Sequence, residues 1–142
     1  MKSVDGIEVG LIGCGRVSIA HMIVYANLKD VNVVAIADLD LERAKMVAKR
    51  FGVKQVFKNY RELLKLQDID LIDICTPVST HASIVCDAAN AKRNVLLEKP
   101  MALSSNDCDK MIKASEINGT KLCVCHDQIF SPAVMRANSL VD

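Results

Sequence analysis

Short apolar runs alternate along this chain with stretches in which apolar positions recur every three or four residues. The first run, Ile7-Glu8-Val9-Gly10-Leu11-Ile12, predicts a strand stopped by Gly13. A helix is predicted from residue 16 to about 27, and a β-branched strand over 31–38. Residues 41–51 place Leu41, Ala44, Val47, Ala48 and Phe51 on one helical face, with Gly52 where a C-cap glycine belongs. A short strand over 53–57, a short helix over 60–66 and a strand over 70–75 follow. The helix over 80–91 turns Ile84, Val85, Ala88 and Ala89 inward, and residues 94–97 make the fifth strand. A helix over 105–117 has Ser104 or Ser105 as N-cap and Gly119 as its close. A sixth strand spans 121–125, and 131–141 predicts a last helix with Pro132 in its first turn. Repeated βα units of this length predict an α/β fold, a doubly wound parallel sheet with helices on both faces in three α/β/α layers.

Composition supports a packed core: 51% of the 142 residues are hydrophobic and 25% charged. The net charge of +1 comes from scattered Lys and Arg, and two Tyr and three Phe form no stacking platform, so nucleic acid is not an expected partner. Residues 1–6 are polar and the run over 7–12 is too short for a signal peptide or a membrane span, so a cytoplasmic location is expected. The six cysteines include no C-x-x-C pair; Cys123-Val124-Cys125-His126 lacks the second half of a zinc ligand set, so no metal site is expected. They read as small buried thiols in a reducing compartment.

Two stretches carry candidate chemistry. Gly13-Cys14-Gly15-Arg16-Val17-Ser18 follows the first strand and opens a helix, with serine where a dinucleotide fingerprint has its third glycine or alanine. Gly13 permits the tight turn, Gly15 lets the backbone approach a pyrophosphate, and helix N-terminal amides hold the phosphates. Asp38 ends the second strand at the distance where a carboxylate accepts from both adenosine-ribose hydroxyls and repels a 2′-phosphate. NAD is therefore expected over NADP, with Arg43 close enough to complicate that preference. The second stretch is Glu98-Lys99-Pro100, where an apolar strand ends in a carboxylate, an ammonium and a proline.

Gly13-Cys14-Gly15-Arg16, Cys75-Thr76-Pro77 with His81, and Glu98-Lys99-Pro100 together resemble the glucose–fructose oxidoreductase/inositol dehydrogenase family, written Gfo/Idh/MocA. The resemblance runs from Ile7 to about Val134. It implies a Rossmann domain over residues 1–126, with 127–142 leading toward a substrate domain that this chain lacks. It implies hydride transfer between NAD(P) and a hydroxyl carbon of a sugar, polyol or nucleotide sugar. Lys99 maps onto the family's catalytic lysine near the nicotinamide ribose. At the carboxyl end of its strand it stands where open α/β sheets bind ligands, able to donate to a ribose or substrate oxygen. Gly13, Cys14, Gly15, Arg16, Val17, Asp38, Thr76, Pro77, His81, Glu98 and Lys99 are the expected cofactor contacts. His81 is expected to pack or bond locally as well. The family's arginine before Phe130 is Ile129 here, and Asn90-Ala91-Lys92 lacks the family's glycine before strand five. An apolar face on the last helix, covered by homo-oligomerisation, is a further expectation. The competing reading is a non-catalytic NAD(H)-binding module for redox sensing or interaction.

Overall fold

The computed structural model describes residues 6–141. The readings of residues 1–5 as a polar, leader-free start and of Asp142 as the end of the tail lie outside the described residues. Six strands alternate with helices: β1 (Ile7–Ile12), α1 (Arg16–Tyr25), β2 (Val31–Ala37), α2 (Leu41–Phe51), β3 (Gln55–Phe57), α3 (Tyr60–Leu63), β4 (Leu71–Ile74), α4 (His81–Asn90), β5 (Asn94–Glu98), α5 (Ser105–Asn118), β6 (Leu122–Cys125) and α6 (Pro132–Val141). The sheet is parallel throughout, in the order β3-β2-β1-β4-β5-β6. Strand order reverses between β1 and β4, which opens a crevice at their carboxyl ends.

The side-chain period of two divides each strand between two cores. Ile12, Ile72, Ile74, Val95 and Leu97 pack with Ile84, Val85 and Ala88 of α4 and Met111 of α5. Leu11 and Ile36 pack on the opposite face with Met22 of α1 and Ala44, Val47 and Ala48 of α2. On α2, Leu41 and Phe51, predicted inward, are only half-buried. The caps follow the sequence: Asp40 accepts from the Arg43 amide, Ser104 accepts from the Asp107 amide, and Gly52 and Gly119 close α2 and α5 at φ 75° and 65°. Each N-cap contributes about 1 kcal/mol.

Several predicted bounds shift by a residue or more. A 3-10 turn over Val78–Thr80 precedes α4, so the helix begins at His81. β3 begins at Gln55 because its pairing with β2 starts there. Lys92, in the turn that lacks the family's glycine, adopts φ 60°, a left-handed conformation that disfavours side chains by about 1–2 kcal/mol. The cysteines also need correcting: Cys14 is buried but Cys123 is exposed. Cys123 lies on β6, the edge strand, and its side-chain face is opposite the one that Leu122 and Val124 bury against the α4–α5 core. Ile129, Phe130, Met135, Leu140 and Val141 are exposed on the tail. Among the described residues, no helix is long and apolar enough to cross a membrane.

Candidate functional site

The glycine loop sits at the sheet's switch point. Gly13 has φ 93°, and a Cβ there would lie 2.7 Å from the Cys75 carbonyl oxygen, so the β1–α1 turn tolerates only glycine. Gly15 differs: an added Cβ would meet nothing within 4 Å. The space in front of it is open, as a backbone approached by a pyrophosphate requires. Gly15 caps α1 without a side-chain bond, so the first amides of that helix face the opening free of a capping side chain. Ser18 resolves the third position: it is fully buried, and its hydroxyl donates to the Gly15 carbonyl at 2.7 Å. Serine therefore packs where the fingerprint has glycine or alanine, with its polar atom satisfied.

Asp38 leaves the end of β2 on the same edge. Its carboxylate accepts from the Cys14 amide at 2.7 Å and the Asp40 amide at 2.8 Å. It also accepts from Arg43, through Nη2 at 2.8 Å and Nε at 3.3 Å. Burial alone would push its pKa up, but the Arg43 bond and the two amides outweigh that and hold it below the usual carboxylate range. Burial first, then the Asp38 charge, pushes the Cys14 thiol up to about 12, so it stays protonated and unreactive at neutral pH.

Gly13, Gly15, Arg16, Val17, Asp38, Thr76 and Pro77 line one cleft of about 730 Å³. The same cleft brings in Arg43, Lys58, Tyr60, Arg61 and Thr80, of which only Arg43 stood out in the sequence. Lys58, Tyr60 and Arg61 follow the short β3 and carry no motif; only the fold brings that turn to the cleft. Tyr60 is held by Asp87, to which its hydroxyl donates at 2.8 Å, and Arg61 lies over its ring. Cys14, His81, Glu98 and Lys99 stand outside the lining. Cys14 is buried and spends its amide on Asp38.

His81 is buried beneath two loops. Its Nε2 faces the Thr76 carbonyl at 2.9 Å, and its Nδ1 faces the Pro100 and Met101 carbonyls at 3.1 and 3.2 Å. It thus ties the loop after β4 to the loop after β5, and both loops border the crevice. Lys99 follows β5 directly, in a cis Lys99–Pro100 turn. Its amide donates to Glu98 Oε2 at 3.0 Å, and its side chain is exposed. The other Glu98 oxygen meets His21 Nε2 at 3.2 Å, while His21 Nδ1 meets Asp73 at 2.8 Å. His21 and Asp73 carried no sequence signal. They are 52 residues apart, and one lies inside a helix and the other inside an apolar strand.

A family model described as "Oxidoreductase family, NAD-binding Rossmann fold" matches residues 7–126. The chain belongs to this family, Gfo/Idh/MocA, and those residues are its NAD-binding Rossmann domain. D-apiose dehydrogenase of Paraburkholderia graminis is 32% identical over 132 residues, which cover 93% of this chain and 35% of that protein. Myo-inositol 2-dehydrogenase of Thermotoga maritima is 30% identical over 110 residues, covering 78% of this chain and 33% of its own length. Among solved structures, the WlbA dehydrogenase of Bordetella pertussis, in complex with NADH and UDP-GlcNAcA, superposes with a TM-score of 0.91 at 26% identity. That match covers 96% of this chain and 42% of the neighbour. The chain therefore spans about a third of the length of these two curated relatives.

Proposed function

We propose that this chain is the coenzyme-binding part of a dehydrogenase that moves hydride between NAD and a hydroxyl carbon of a sugar, polyol or nucleotide sugar. The observation that carries it is one sheet edge holding three things: the open Gly15 loop, the ordered Asp38 carboxylate, and Lys99 at the end of β5. The residues present fit the coenzyme. Arg16 and Val17 offer first-turn amides to the diphosphate, and Asp38 is placed to accept from the adenosine ribose. Thr76 and Pro77, after β4, line the same cleft as Asp38. The coenzyme supplies the hydride acceptor or donor. Lys99 donates a hydrogen bond to a ribose or substrate oxygen and steadies charge developing there. Residues 127–142 lead toward a substrate domain, and the relatives' names supply the class of small-molecule substrate. The tail's exposed apolar residues are a surface for that domain or for a second copy of the chain.

Arg43 shapes the nucleotide preference. Its guanidinium is engaged by Asp38, and the pair presents a ribose-accepting carboxylate. That favours NAD over NADP. A non-catalytic NAD(H)-binding module is the second reading, and one observation favours it: Lys99 is exposed and stands outside the cleft lining. One experiment separates the two readings. The protein is assayed for NADH formation with a panel of polyols and nucleotide sugars, alongside calorimetry with NAD+. Turnover abolished by Lys99→Met with NAD+ affinity retained supports the dehydrogenase. Tight coenzyme binding with no turnover on any substrate supports the module.

A further inference from the structure

Beneath the Lys99 turn lies a buried polar cluster that meets the cleft only through Cys75. Asp73 is fully buried and belongs to β4, whose neighbouring residues Ile72 and Ile74 point the other way into the apolar core. A carboxylate there is stable only when paired and hydrogen-bonded. Its partners are His21 Nδ1 at 2.8 Å, the Tyr25 hydroxyl at 2.9 Å and the Cys75 thiol at 3.6 Å. The second nitrogen of the same imidazole faces Glu98 at 3.2 Å. Ionised carboxylates only accept, so both contacts are hydrogen bonds when both ring nitrogens carry protons. His21 is mostly enclosed, with its side chain 13% exposed against 0% for Asp73 and 12% for Glu98. Around it stand Tyr25 of its own helix, Asp73 and Cys75 of β4, Glu98 of β5 and Cys125 of β6. The thiols and the phenol are all pushed toward their neutral forms, so the two carboxylates are the only charges facing the ring from these elements.

We infer that His21 is a positioning residue for the Lys99 turn: an imidazolium that ties Asp73 to Glu98, whose other oxygen holds the Lys99 amide. The connection is continuous in space. Asp73 anchors the ring, the ring fixes Glu98, and Glu98 Oε2 accepts from the Lys99 amide at 3.0 Å. Loss of the ring proton removes one of the two ties, and Glu98 is then held less firmly beside the turn. The Asp73 bond, chiefly, raises the His21 pKa against its partial burial, in agreement with this arrangement. The inference rests on the coenzyme reading only for the role given to Lys99.

The test follows histidine ring nitrogens and the Lys99 amide by NMR across pH in isotopically labelled protein. The expected result is two protonated His21 nitrogens at about pH 6, and a Lys99 amide shift that moves with the same midpoint as His21. In Glu98→Gln that midpoint drops, since one of two carboxylate charges is gone. In His21→Gln the Lys99 amide no longer titrates in that range. Should His21→Gln fail to fold, the native protein and Glu98→Gln still decide the matter. A neutral, singly protonated His21 from pH 5 to pH 8, or a Lys99 amide indifferent to the His21 titration, overturns the inference. NAD+ calorimetry runs in parallel. Lost coenzyme binding with an intact His21–Lys99 coupling sinks the coenzyme reading alone; intact binding without the coupling sinks the positioning role alone.

Discussion

The two ends of the crevice are built differently. At the β1–β2 end every part is already in place: Gly13 holds its turn, Ser18 is satisfied, and Asp38 accepts from two amides and Arg43. At the β5 end the backbone is clamped, by His81 from one side and Glu98 with His21 from the other, but the lysine side chain extends into solvent. A site that binds needs its acceptors preset, because ordering them later costs affinity. A site that reacts needs its donor positioned only when the remaining walls are present. On the proposed function, the β1–β2 end is the binding end with its acceptors preset, and the β5 end supplies a held turn.

Gly13→Ala produces the largest effect. A methyl group driven against the Cys75 carbonyl, at a left-handed φ, lowers stability by about 3 kcal/mol and abolishes coenzyme binding; urea unfolding and calorimetry measure both. Asp38→Ala comes next. It strands the Cys14 and Asp40 amides and releases Arg43, so NAD+ affinity falls by about tenfold or more while NADP+ binding is spared, as titrations with both coenzymes will report. Gly15→Ala sharpens the contrast with Gly13. The methyl meets no protein atom, so stability stays within about 0.5 kcal/mol while NAD+ affinity falls roughly tenfold. A destabilisation comparable to that of Gly13→Ala would break this division of labour. Lys99→Met is the mildest for binding, with melting temperature and NAD+ affinity close to the native values, because its side chain is exposed and outside the cleft.

The two ends also respond to pH in opposite directions. Asp38 has its pKa lowered by folding. Its stabilisation is present above the unfolded value of about 3.9 and is lost as pH falls through the lower folded value. His21 has its pKa raised. Its stabilisation is full below the unfolded value of about 6.5 and is lost as pH rises through the higher folded value. Melting temperature against pH should therefore show an acid limb that Asp38→Asn flattens and a limb above about pH 6.5 that His21→Gln flattens.

The strand–helix alternation was legible because each βα unit carries its own local signals: the β-branched run of β2, the Asp40 cap, and the glycines after α2 and α5. The glycine loop, Asp38 and the Lys99 turn were legible because each is a short motif at a strand end. Other features depend on distant partners. Lys58, Tyr60 and Arg61 reach the cleft only because β3 sits beside β2. Asp73 looked like an ordinary polar residue in a strand, and its role depends on a helix 52 residues earlier. His81, expected both as a coenzyme contact and as a locally packed or bonded residue, lies under the loops as a tie between carbonyls, and which carbonyls it meets depends on the distant loop after β5.

Calorimetric titration with ADP-ribose beside NAD+ tests the central claim most directly. A binding end complete in this chain predicts that ADP-ribose, which lacks the nicotinamide, binds one to one within about tenfold of NAD+ and loses affinity in parallel on Gly15→Ala. NAD+ binding well-folded protein while ADP-ribose gives no heat and no thermal shift would contradict it.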